Sequence, residues 1–293
     1  LRIFKNQAAL YLTNVLASFS DVIATLRVLS EVLQQGVVAV LADAGCGKTQ
    51  MSAQLTSPTE DRGAGILLHG RELSAQDRLD DLARTVVIQG RPVETFESLI
   101  AALDAAGERS GRRLPLIIDG LNEAEDPRQW KAYLESLRVI LENYPYVLLV
   151  VTLRSEFAPE SLPDDIQQFD IPGFRGHFVE AARAYFHYYK IEIGDAELPI
   201  ELLNHPLTMR LFCEVTNPER NKTVGVEAMP GSLTSLFEKY LDQIADRIAQ
   251  LAPSSCRYYA SDIRSALNAT GYTLWSENIR SVELNRLRQI LGD

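Results

Sequence analysis

The sequence predicts an α/β domain, a parallel sheet flanked by helices, followed by a region of helices alone. Three observations lead there. Short, uniformly apolar runs such as Leu114–Asp119 (LPLIID) and Tyr146–Leu153 (YVLLVVTL) have strand length and no polar face, the pattern of strands covered on both sides. Segments of helical period alternate with them, which favours parallel crossovers. After about Phe174 the strand-like runs stop and only helical periods remain.

In chain order, residues 1–35 read as helix: Leu10, Val15, Leu16, Phe19, Val22, Ile23, Leu26 and Leu29 recur at helical spacing, and Gly36 stops it. Val37–Ala42 is a buried-strand candidate that runs into a glycine-rich turn. Gly65–His69 (GILLH) reads as the next strand, with Arg78–Val87 and Val93–Ala106 as helices and Leu114–Asp119 as a strand. Asp126–Asn143 is expected as a helix, with Asp126 as cap, Pro127 at the first helical position and Gln129 as capping-box partner. Tyr146–Leu153 reads as another strand. Further helices are expected at Gly176–Lys190, Leu198–Leu203, Pro206–Val215, Ser232–Leu251 and Ala260–Ala269. Asn217–Gly231, with two prolines and two glycines, reads as a linker. The expected organisation is an N-terminal helical segment (1–35), an α/β core (36–173), a small helical domain (174–216) and a further helical region (217–293).

Composition narrows the class. At 46% apolar and 23% charged residues the chain of 293 has the make-up of an ordinary folded domain. No apolar run approaches the roughly 20 residues needed to span a bilayer, and no signal peptide is read at the start, so no membrane partner is expected. Leu1 rather than Met suggests a piece of a longer protein. Cys46, Cys213 and Cys256 are scattered, without a CxxC pair, which predicts neither zinc nor disulfides and fits a reducing cytoplasm. A net charge of −10 argues against generic nucleic-acid binding.

The strongest motif is ADAGCGKT at Ala42–Thr49, directly after a strand candidate. A polyphosphate needs many donors and a close backbone approach, and Gly45 and Gly47 permit that approach by lacking a Cβ. Amides from Ala44, Gly45, Cys46, Gly47, Lys48, Thr49 and Gln50 would surround a phosphate at a helix N-terminus. Lys48 would reach the β- and γ-phosphates of ATP, and the Thr49 hydroxyl would ligate Mg²⁺, the pattern of a P-loop nucleotide site. ATP is the default nucleotide, since no guanine-reading pattern is present.

Two further motifs add chemistry. In Leu114–Asp126 (LPLIIDGLNEAED), Asp119 ends a strand at the sheet edge where open α/β sheets bind ligands. From there it could hold the magnesium, and Glu123 could orient or deprotonate the attacking water. At the end of the next strand, in Thr152–Ser155 (TLRS), Arg154 could stabilise charge on the γ-phosphate.

Taken together, these pieces resemble the STAND class of P-loop NTPases, and within it the NACHT-type modules. The segments that carry the resemblance are ADAGCGKT (Ala42–Thr49), ILLHGREL (Ile66–Leu73), LIIDGLNE (Leu116–Glu123), VVTLRS (Val150–Ser155), IPGFRGHFVEAARAYF (Ile171–Phe186) and NHPLTMRLFC (Asn204–Cys213), over about residues 36–252. The resemblance implies an ATP/ADP switch with slow hydrolysis, whose nucleotide state controls self-oligomerisation. It implies effector and sensor domains elsewhere in a full-length chain, and antiviral defence if the source is prokaryotic. It places Pro206 near the adenine and Arg154 toward the γ-phosphate, and it makes the C-terminal part the start of a winged-helix-like domain. One departure matters: the usual motif is acidic where this chain has Asn122, which puts more weight on Glu123. An AAA-type motor and an ADP-locked, non-hydrolysing module remain the alternatives.

Overall fold

The computed structural model describes residues 17–291 apart from 21, 29, 32–33, 35, 61–62, 195–196, 227–231, 252–257 and 280–281. Of the N-terminal helix expected over 1–35, the described positions 17–20 and 22–28 are helical, with Phe19, Val22, Ile23 and Leu26 exposed. Leu10, Val15, Leu16, Leu29 and Cys256 lie outside the described residues. The chain divides after Pro172 into two compact units.

The first unit runs β1 (Val37–Leu41), α1 (Lys48–Thr56), β2 (Ile66–His69), α2 (Leu79–Ala83), β3 (Val87–Ile88), β4 (Arg91–Pro92), α3 (Phe96–Ser110), β5 (Leu114–Asp119), α4 (Gln129–Leu141), β6 (Val147–Leu153), α5 (Ala158–Ser161) and β7 (Gln167–Asp170). Five strands form one sheet in the order β2–β5–β6–β1–β7, every neighbouring pair parallel. Successive side chains of a strand point to opposite faces, and here both faces are covered. Val37, Ala39 and Leu41 join Leu116, Ile118, Leu149 and Val151 in a core with Leu99, Leu103, Trp130 and Leu134. Their alternates Val38, Val40, Ile117 and Val150 pack with Met51 and Leu55 of α1. That double burial is why these strands read as unbroken apolar runs. The unit is an α/β P-loop core, with β1 between β6 and β7 and the glycine loop leaving its C-terminal end.

The second unit is mainly helical: α6 (Phe178–Tyr189), β8 (Ile191–Glu192), α7 (Ile200–Leu203), α8 (Pro206–Thr216), β9 (Val224–Gly225), α9 (Leu233–Leu251), α10 (Ala260–Ser276) and α11 (Leu284–Leu291). Phe186, Leu203, Met209, Phe212, Cys213 and Leu236 share its buried cluster, so α9 and α8 belong to one core. The sequence reading divides this stretch at residue 216; α9 nevertheless packs on both α8 and α10.

Several local expectations are corrected. The helix expected over Arg78–Val87 is only α2; the chain then turns into the β3–β4 hairpin, with Gln89 and Gly90 at φ 50° and 79°. Positive φ at both central residues suits the twist of a two-residue hairpin. The capping box at Asp126 does not form. Helix α4 begins at Gln129, and Asp126 instead engages the Arg128 side chain at 2.9 Å, an ion pair that holds its carboxyl below the usual range. Strand β7, with its polar sequence QQFD, carries no apolar run, because it is a sheet edge with most of its residues exposed. Residues 217–226 are no free linker: the buried Asn217 donates from Nδ2 to the carbonyls of Tyr189 (2.7 Å) and Lys222 (2.9 Å), and β9 pairs with β8.

Candidate functional site

The loop after β1 is shaped by its glycines. Gly45 and Gly47 hold φ of 79° and 92°, left-handed values that disfavour a side chain. A Cβ at Gly47 would meet nothing within 4 Å, so backbone conformation rather than crowding demands glycine there. Helix α1 starts at Lys48, and the amide of Met51 donates to the Gly47 carbonyl at 2.9 Å. The amides of Lys48, Thr49 and Gln50 therefore precede the helical ladder, where a helix leaves donors for an anion. Ala44 and Cys46 complete the loop, with the Cys46 amide 3.4 Å from the Asp43 carbonyl.

Sheet register brings the remaining chemistry to this edge. Strand β6 lies between β1 and β5, and the pairs Leu41↔Leu153 and Ile118↔Val151 set Thr152 and Arg154 beside the loop on one side and Asp119 on the other. The Thr49 hydroxyl donates to Asp119 Oδ2 at 2.6 Å. Asp119 Oδ1 accepts from Thr152 Oγ1 at 2.7 Å and from Ser52 Oγ at 3.2 Å. Thr152 Oγ1 accepts in turn from the Gly120 amide at 2.9 Å. Asp119 is thus oriented from three sides although it is almost wholly buried. Ser52 and Thr152, both fully buried, play parts that motif reading does not assign. Ser52 has a signal in the sequence, since it sits one helical turn after Thr49 and shares its face.

Lys48 Nζ donates to the carbonyls of Ala42 (2.7 Å) and Asp43 (2.9 Å), which folds it over the loop. Burial lowers its pKa; nearby Cys46 raises it, the field of Arg154 lowers it, and Asp119 and Asp43 raise it. Arg154 therefore shares an electrostatic neighbourhood with Lys48. Its guanidinium stands 3.9 Å from Glu156, a well-exposed pair worth little. Burial, helped by Asp43, raises the Cys46 thiol.

After β5, Gly120 takes φ 74° and starts a short turn over Leu121–Glu123. A Cβ at Gly120 would lie only 3.0 Å from Glu123 Cδ, so glycine also leaves room for that carboxylate, which is exposed. Asn122 Oδ1 accepts from the Arg154 amide at 3.0 Å, tying this turn to the end of β6. An amide at that position anchors backbone rather than moving protons.

A magnesium fit can be judged from the donor set. Thr49 and Asp119 offer hard oxygens 2.6 Å apart at the mouth of the loop. Mg²⁺ is commonly held by one or two protein oxygens, with substrate phosphates and water supplying the rest, and this pair suits that manner of binding. Among the described residues no group of three or more His, Cys, Asp or Glu could hold a metal by itself. No described helix is long and apolar enough to cross a membrane. Pro206 belongs to the second unit, as first residue of α8, where His205 Nδ1 accepts from the Leu207 amide at 3.2 Å.

No known family model matches the chain, and neither does any curated protein. Similar solved structures do exist. A STAND ATPase with a tetratricopeptide repeat sensor from Pyrococcus horikoshii is 12% identical with a TM-score of 0.44, over 92% of this chain and 38% of that one. Drosophila ORC bound to DNA is 13% identical with a TM-score of 0.36, over 88% and 60%. PCH-2 from C. elegans is 11% identical with a TM-score of 0.34, over 73% and 62%. The chain spans less than two thirds of the length of each of these proteins.

Proposed function

We propose that this chain is the ATP-binding, slowly hydrolysing switch module of a STAND protein of the NACHT type. What supports it most is the 2.6 Å hydrogen bond from Thr49 to Asp119, which joins the glycine loop to the acidic strand end at one point. Lys48, placed over the loop, holds the β- and γ-phosphates of the substrate, and the amides of residues 44–50 receive the remaining oxygens. Thr49 and Asp119 hold magnesium, which when bound neutralises charge on the phosphate oxygens. Glu123 takes the proton of the attacking water. Arg154 stabilises charge that grows on the γ-phosphate, and Pro206 lies against the adenine as the resemblance implies. In this reading the nucleotide state sets self-association, and effector and sensor domains act on the module from elsewhere in a longer chain.

The test is nucleotide content and turnover. Purified protein should release adenine nucleotide and hydrolyse Mg-ATP slowly. Lys48→Ala removes a charge-assisted contact of about 1.5–3 kcal/mol, so ATP affinity should fall roughly ten- to hundredfold. Glu123→Gln should keep affinity while turnover falls by about 10²–10⁴. Absence of any measurable ATP affinity in the wild type would sink the proposal. An ADP-locked module is the second reading, favoured by Asn122 serving as a backbone anchor where an acid would be usual. Tight ADP with no turnover, unchanged by Glu123→Gln, would select it.

A further inference from the structure

We infer that the helical unit holds a second anion site, for a small phosphate monoester, formed by Arg210, Arg220 and Arg247. These arginines line a cavity of about 290 Å³ together with Glu214, Tyr189 and Tyr240. The size lies at the small end of ligand cavities. In a chain of net charge −10, three guanidiniums here face one carboxylate. Arg210 Nε engages that carboxylate, Glu214 Oε1, at 2.9 Å. Among the described residues Arg220 and Arg247 have no ion pair, which leaves two positive charges to be met.

Arg220 is also held in place. Its guanidinium carbon stands 4.7 Å from the centroid of the Tyr188 ring and 5.5 Å from that of Tyr189. Stacking on an aromatic face leaves the in-plane N–H donors available to a ligand. The loop that carries it is pinned by Asn217 Nδ2, through the carbonyls of Tyr189 and Lys222. Arg220 itself adopts φ 53°, a left-handed value uncommon outside glycine, which persists only where the surroundings over-determine it. Across the cavity, Gln243 Nε2 donates to the Val215 carbonyl at 2.8 Å and fixes α9, the helix of Tyr240 and Arg247, against α8. A purely structural ion cluster would set carboxylates opposite these arginines. Among the described residues that line the cavity, only one is present.

Two unpaired guanidiniums, each a planar fork of donors, match the oxygens of a phosphate group. A phosphate monoester carries close to two negative charges at neutral pH, as many as the cavity leaves unmet. A monoanion answers only half of that.

The site in the glycine loop can be weakened separately, and binding left there does not depend on Arg220 or Arg247. In the full chain carrying Lys48→Ala, phenyl phosphate should saturate a single site in calorimetry at physiological ionic strength. Phenyl sulfate, a monoanion of the same shape, should bind at least tenfold more weakly. On the same background Arg247→Gln and Arg220→Gln should each weaken phenyl phosphate by roughly ten- to hundredfold. Arg247 is exposed, so its variant should keep the wild-type unfolding midpoint and carries the test if Arg220→Gln unfolds. The inference is overturned if the Lys48→Ala chain shows no saturable binding below the millimolar range. It is equally overturned if the arginine variants bind unchanged, or if phenyl sulfate binds as well as phenyl phosphate. None of these outcomes depends on whether the glycine loop binds ATP.

Discussion

In the proposed reading Asp119 holds the magnesium, and Thr152 is one of the three hydroxyl residues that orient it. That hydroxyl donates to Asp119 Oδ1 and accepts from the Gly120 amide, with no exposure to water. Thr152→Val keeps the volume and removes both contacts, leaving a buried amide unpaired, which costs about 1–3 kcal/mol. The expected outcome is a lower unfolding midpoint together with a weaker dependence of ATP binding on magnesium. A midpoint shift with unchanged magnesium dependence would limit Thr152 to a structural part. Lys48 gives a second prediction, in pH. Burial lowers its pKa, so its charge is lost at a lower pH than the ordinary 10.5 of a lysine. Below that folded pKa the ammonium is intact and ATP affinity should be flat through neutrality. Affinity should then decline on the alkaline side before pH 10.5, a decline that titration of Lys48→Ala should not show. If the alkaline limb is the same in both proteins, another group titrates there.

At the scale of elements, the turns that follow β2 and β5 lie against each other. A Cβ on Gly70 would fall on the Gly120 carbonyl oxygen, well inside contact distance. Gly70→Ala should push the Leu121–Glu123 turn aside, carrying Glu123 with it. Turnover should then fall more than ATP affinity does, since Lys48 is held by the carbonyls of Ala42 and Asp43 and not by the displaced turn. Equal loss of both would show that the displacement reaches Lys48. How far such elements were legible depends on their burial. β1, β5 and β6 are covered on both faces, so each declares itself as an apolar run, and the motif residues at their ends inherit that clarity. β7 is an edge, and its polar sequence QQFD leaves no such trace. The β3–β4 hairpin pairs only two residues on each side, too few for a period to show. Asp126 offered a sound local cap, but a neighbouring guanidinium at Arg128 took its carboxylate instead. Lys48, Thr49 and Asp119 were legible as motif; the Ser52 and Thr152 hydroxyls that orient Asp119 depend on strand and helix neighbours, which spacing along the chain does not display.

At the scale of the whole chain, two compact units meet at Pro172 in the sequence, and only the first contains the glycine loop. A ligand that binds the folded state alone stabilises it by mass action, about 2.7 kcal/mol at a hundredfold excess over Kd. For a unit of this size 1 kcal/mol moves the midpoint by about 2–4 °C, so Mg-ATP at that excess should raise one calorimetric transition by roughly 5–10 °C. The same nucleotide concentration, now only about one to ten times the weakened Kd, should stabilise Lys48→Ala by about 0.4–1.4 kcal/mol, a clearly smaller shift. Because the proposed switch couples nucleotide to assembly, the stabilised ATP form should also sediment faster than the ADP form, by an amount that grows with protein concentration. A thermal shift without any change in sedimentation would keep the nucleotide site and remove assembly from the module itself, transferring it to the domains of a longer chain. Equal shifts with ATP and ADP, and a single sedimenting species in both, would instead favour the locked module, in which nucleotide serves only to hold the first unit together.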